Sequence, residues 1–147
     1  MSSTTHSLPL STASRRAVHG IVGGLAGGVV FGLLMQMTGT MKMSAQVLGS
    51  DSILAGWVLH LAISSFIGGS FAILFGSLAK TYVPAGIFGM AYGELWWVLG
   101  ALWILPAQLG LPLFEFSTTA WESLIGHLLF GLVLGLVFTV LVRRDHD

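Results

Sequence analysis

Four stretches of this chain stay apolar long enough to cross a bilayer, and that restricts the folds open to it. They run from about Ala17 to Met37, Ser52 to Ala79, Ala85 to Leu105 and Ala120 to Val142. A hydrocarbon core of about 30 Å needs roughly 20 helical residues. Within lipid, a helix satisfies its own backbone and an open sheet does not. Of 147 residues, 54% are hydrophobic and 8% are charged, where soluble domains average about 25% charged. A soluble chain this short has nowhere to hide so much apolar surface. The expected fold is all-α, an integral membrane four-helix bundle filling residues 17–142 as one domain.

The segments outside the four runs are short. Residues 1–16 are rich in Ser and Thr and end on Arg15-Arg16, which reads as a disordered cytoplasmic tail. Residues 143–147 read as a second tail. The apolar run after Arg16 is longer than a signal-peptide core of about 7–15 residues, so it reads as a retained helix. The third run is expected to stop at Pro106, and residues 38–51 and 106–119 to form loops.

Basic residues set the expected orientation. Arg15, Arg16, Lys80, Arg143 and Arg144 fall on one side of a four-helix hairpin pair, and Lys42 falls on the other with Asp51, Glu115 and Glu122. The positive-inside rule then puts both termini in the cytoplasm. Trp57, Trp103 and Trp121 suit the outer interface. There is no cysteine, which excludes disulfides, thiolate metal sites, iron–sulfur ligation and a cysteine nucleophile. With zero net charge and no basic patch, no nucleic-acid partner is expected. The partners expected are the lipid bilayer and either other membrane subunits or further copies of the chain.

The two halves resemble each other. Gly20, Ile21, Gly23 and Gly27 match Gly86, Ile87, Gly89 and Gly93 at an offset of 66. His60, Leu61, Gly68 and Phe71 match His127, Leu128, Gly135 and Phe138 at an offset of 67. This reads as two tandem two-helix repeats of one orientation, related by an axis along the membrane normal. Gly23 and Gly27, with Gly89 and Gly93, have the four-residue spacing of close helix packing. They predict a seam between helices one and three that separates helix two from helix four. In this alignment Glu94 stands where the first repeat has Gly28, which leaves room for its side chain.

Ionisable groups within a membrane are rare and costly, about 2.5–3.5 kcal/mol for a central carboxylate. Glu94, His60 and His127 are therefore the informative residues, with Ser64 and Trp97 as polar neighbours. Three readings remain open. In the first, each histidine is structural and bonds a neighbouring helix through Ser64, Ser65 or Glu94. In the second, His60 and His127 bind haem or copper, with Met35, Met37, Met41 and Met43 passing on a soft cation. In the third, Glu94 and the histidines carry protons or ions, which favours an oligomer because one small bundle has little room for a wet pore. Ser123 and Ser64 form no catalytic triad, since no carboxylate is placed to orient either histidine. His6, His19 and His146 fall at or beyond the cytoplasmic boundary.

One further pattern lies in the last ninety residues or so. It comprises His60 with Ser64, Pro106 with Leu109-Gly110-Leu111-Pro112, Glu122 with Gly126-His127-Leu128, and Arg143-Arg144. In these residues the chain resembles the YagU-like family of small bacterial inner-membrane proteins. The glycine-rich first helix and the short segment after it depart from that pattern. The resemblance implies a multi-pass protein of the bacterial inner membrane, with both histidines and Glu122 at shared positions. Taken together, the sequence points to a non-enzymatic component of a larger membrane complex or a small transporter. The alternative is a haem- or metal-binding protein using His60 and His127.

Overall fold

Four long helices, each apolar enough to cross a membrane, carry the described chain. The structure, a computed structural model, describes residues 12–145. Helix α1 spans Thr12–Thr38 and ends on Gly39, whose φ of 80° favours glycine. A short helix α2, Met41–Val47, lies in the segment expected to be a loop and tucks Met41 fully out of solvent beside Gly56. Helix α3 spans Ile53–Phe75. Helix α4, Tyr82–Trp96, continues through a π-helical stretch, Trp97–Ile104, into α5, Leu105–Leu109. Helix α6 spans Thr118–Arg144, and the Ser117 hydroxyl caps it by accepting from the Ala120 N–H.

Two boundaries correct the sequence reading. Residues 12–16 are helical and belong to α1 rather than to a tail. The third span does not stop at Pro106 but runs on to Leu109, where Gly110 takes φ 67°. A proline inside an α-helix clashes with the carbonyl four residues back. Here the preceding turns are widened into π geometry, so the helix passes the proline. Residues 1–11, with His6, and residues 146–147, with His146, lie outside the described residues.

The helix arrangement also differs from the expected one. α1 packs against both α3 and α6, and α4 packs against α6. The central pair is therefore α1 with α6, and the seam expected between the first and third spans does not form. Gly23 and Gly27 face Leu134 and Phe130 of α6. Gly20, Gly24 and Gly28 line the other side of α1 and face Gly68 and Ser64 of α3. Gly89 and Gly93 of α4 face Gly131, Gly135 and His127 of α6. At Gly24, Gly68, Gly89 and Gly131 an added Cβ would collide with backbone across the seam. Such approaches rest on van der Waals contact and weak Cα–H···O contacts, which replace a hydrophobic driving force in lipid.

One half of the bundle is filled. Phe71, Leu134 and Phe138 have no exposed surface and join Phe31, Ile67, Tyr92 and Phe130 in a single core. In that half the gap between α3 and α4 is closed by the Ser70 Oγ to Tyr92 hydroxyl bond, 2.8 Å, and by Phe66 against Trp96. Outward faces carry large apolar side chains, among them Ile73 and Val83 at 73% exposure each, as expected where lipid is the solvent. The chain is a small polytopic membrane protein. Arg15, Arg16, Lys80, Arg143 and Arg144 all lie at one end, tied by His19 to Asp145 at 3.3 Å and Arg143 over the Tyr82 ring. The other end carries α2, α5 and the segment from Gly110 to Ser117.

Candidate functional site

The unfilled half of the bundle holds two adjoining cavities. The first, about 260 Å³, opens at the α2 end and is bordered by Thr38, Thr40, Met43, Glu115 and Glu122. The second, about 210 Å³, lies deeper and contains His60 and His127. Phe31, Met35, Ala101, Leu105 and Ser123 line both, so the two share a wall and together make the cleft. The deeper part also reaches outward between Leu59 and Ile63 of α3 and Ile104 and Gln108 of the proline-containing segment. It ends on Ile67 and Phe130, behind which the filled core begins.

The π stretch creates much of this space. Gly100, Ala101 and Ile104 of this stretch line the deeper cavity, and the first two are too small to fill what they face. A Cβ added to Gly100 would meet nothing within 4 Å. π-helical turns recur at functional sites.

The two histidines are held differently. His60 Nε2 lies 2.9 Å from the Gly28 carbonyl, so it bridges α3 to α1. His127 Nδ1 lies 2.8 Å from the Ser123 carbonyl of its own helix, with the Ser123 hydroxyl at 3.3 Å. A carbonyl oxygen only accepts. The neutral rings therefore carry their protons on Nε2 in His60 and Nδ1 in His127, an assignment made from the partners. Each remaining nitrogen, His60 Nδ1 and His127 Nε2, bears a lone pair and has no hydrogen-bond partner among the described residues. Phe31 packs edge-on against both imidazoles, with ring centroids at 5.4 and 4.6 Å. It fits because Gly126 leaves a gap; a Cβ there would collide with the Phe31 ring.

Of the other singled-out residues, Ser64 also lines the deeper cavity, whereas Trp97 and Glu94 lie elsewhere. Ser64 donates to the His60 backbone carbonyl at 2.7 Å, not to an imidazole, and Ser65 bonds Leu61 of its own helix. Trp97 is buried in a separate cluster with Leu102 and Ala120 and donates to the Ala120 carbonyl at 2.9 Å. Glu94 is exposed on the outer face of α4 and meets neither histidine. Its neighbour Gly93 faces His127 of α6, and one residue further along turns Glu94 about 100° away from that seam.

Among the described residues no group of three or more His, Asp or Glu is placed to hold a metal ion. Met41 is buried against α3 and Met37 is 82% exposed, while Met35 and Met43 line the cleft. A haem gripped by both histidines would need the space that Phe31 fills. The residues that sequence reasoning missed are Phe31, Glu115 and the π stretch. Phe31 carried a faint signal in the small residue that makes room for its ring, Gly126. No protein-family model, no curated protein and no solved structure matches the chain.

Proposed function

We propose that the chain is a small, non-enzymatic solute-binding protein of the membrane, acting as a transporter or as the ligand-holding subunit of a larger assembly. The observation that carries this reading is the cleft, open at the α2 end and between α3 and the π stretch, with His60 and His127 in its wall, each keeping one ring nitrogen without a partner among the described residues. An apolar concavity with a few convergent polar atoms is the usual form of a small-molecule site. The setting that fits is the bacterial inner membrane with both termini in the cytoplasm. Five basic residues gather at the end away from the cleft mouth, in keeping with the positive-inside rule. The YagU-like resemblance supports the same compartment.

The absence of cysteine makes a direct test available. Ser123→Cys and Ala101→Cys are expected to react with a membrane-impermeant maleimide added outside intact spheroplasts, and Leu134→Cys to stay unlabelled. Equal labelling of all three, or no labelling of the two cleft positions, overturns the reading.

A second observation favours assembly into a homo-oligomer. The exposed Glu94 lies about 18 Å along the helix from Tyr82, well inside the span. A carboxyl facing hydrocarbon is costly, and cover from another copy relieves the cost. Ala91, one turn away and also exposed, gives a probe: Ala91→Cys is expected to form disulfide-linked dimers on oxidation in native membranes. A chain that stays monomeric in bilayers and never cross-links there removes this reading.

The origin of the fold in a tandem duplication is supported by its two outer seams. Gly24 against Ser64 and Gly68 corresponds to Gly89 against Gly131 and Gly135.

A further inference from the structure

The geometry points to a small organic ammonium with an apolar body as the ligand of the cleft. This rests on the solute-binding reading above and specifies its substrate class.

Three features converge. Both free imidazole nitrogens are acceptors, because each ring gives its N–H to a backbone carbonyl. A ligand that satisfies them must bring hydrogen-bond donors. A carbonyl, an ether or a carboxylate would set lone pair against lone pair. The second feature is charge. Glu115 and Glu122 border the mouth, and neither cavity is lined by a lysine or arginine. The lining thus attracts a cation and repels an anion. Lys42 is exposed on α2 and does not line the cleft. The third feature is the wall. Phe31, Leu59, Ile63 and Ile67 offer apolar surface to the body of a ligand. The gap between α3 and the π stretch lets an amphiphile arrive from the lipid. An alkyl- or arylammonium has the three matching properties: N–H donors, one positive charge and an apolar tail. Its head sits in the deeper cavity beside Phe31, donating to an unpartnered imidazole nitrogen, and its tail points toward Ile63 and Ile104.

Calorimetry on the full chain in nanodiscs tests this with four probes. Benzylammonium carries donors and charge. Benzyltrimethylammonium keeps the charge without donors. Benzyl alcohol keeps a donor without charge. Silver(I) reports a soft-metal site on the same lone pairs. Benzylammonium is expected to bind at least about tenfold more tightly than either organic control, the equivalent of ~1.4 kcal/mol. His127→Leu is expected to weaken it by about tenfold. Glu122→Gln, an exposed substitution that leaves the fold intact, is expected to weaken it about threefold. Equal binding of the trimethyl compound overturns the donor argument, and equal binding of the alcohol overturns the charge argument. Saturable silver binding without amine binding replaces the substrate class and leaves the solute-binding reading standing. If none of the four binds although Ser123→Cys is labelled from outside, the ammonium assignment fails alone. If labelling fails too, both fall.

Discussion

The carbonyl of Leu102 accepts a 2.8 Å hydrogen bond from the backbone N–H of Phe114, twelve residues further along the chain. Four residues on from Leu102 stands Pro106, which has no N–H to give. The proline therefore does two things. It forces the wide turns that border the cleft, and it leaves an acceptor that ties the segment after Gly110 back onto the helix. Phe114 reaches it by taking φ 53°, a conformation costly for a side chain of this kind.

Pro106→Ala supplies the missing donor. The π stretch is then expected to relax toward α geometry and Phe114 to lose its partner. Amide exchange at Phe114 should accelerate more than tenfold, and proteolysis between Gly110 and Ser117 should rise. The net stability change is small, under about 1 kcal/mol, because a backbone bond is exchanged for another. Unchanged exchange at Phe114 would count against the link.

The glycines of the bundle are not equivalent. Gly89→Leu forces a side chain into the backbone of Gly131 and Gly135, and is expected to cost more than about 3 kcal/mol or to prevent folding. Gly100→Ala meets nothing within 4 Å and should be neutral or stabilising by about 0.5–1 kcal/mol. Unfolding in mixed micelles by a denaturing detergent measures both. Similar losses at the two positions would refute the seam.

His60 and His127 should separate in the same assay. His60→Ala breaks a bond between helices, whereas His127→Ala breaks one within a helix. Interhelical hydrogen bonds in membranes average about 0.6 kcal/mol, and the first substitution also removes packing against Phe31 and Trp57. We expect His60→Ala to be the more destabilising by about 1 kcal/mol. The reverse order would mean that His127 has the more structural role.

The protein purified in detergent is expected to be colourless, with no Soret band and less than one copper per chain by elemental analysis. Phe31 lies against both imidazoles, and the free nitrogens belong to rings already anchored to backbone. A Soret band lost in both His60→Ala and His127→Ala would instead establish a haem site and require Phe31 to move.

The four spans were legible because hydropathy over some twenty residues is a sum, and a sum tolerates local errors. The histidines stood out because an imidazole amid apolar residues is conspicuous in any register. Glu94 was conspicuous too, but it stands one residue past Gly93, and one residue turns a side chain about 100° around the helix. Gly23 and Gly24 are both buried, facing different neighbours, so glycine spacing alone could not say which helix each stripe meets. The passage of the third helix through Pro106 depends on a carbonyl finding Phe114, a distant partner that no local pattern reveals.

The seams of bare backbone set how this molecule is able to move. Where Gly24 meets Gly68, and where Gly89 meets Gly131, no side chain stands between the helices to swing aside, so these two seams behave as the closed joint of a clamp. At the α2 end the walls are side chains and widened turns, which yield. Any breathing that admits a guest should therefore be a splaying of the free tips about the glycine joint, leaving the basic end still.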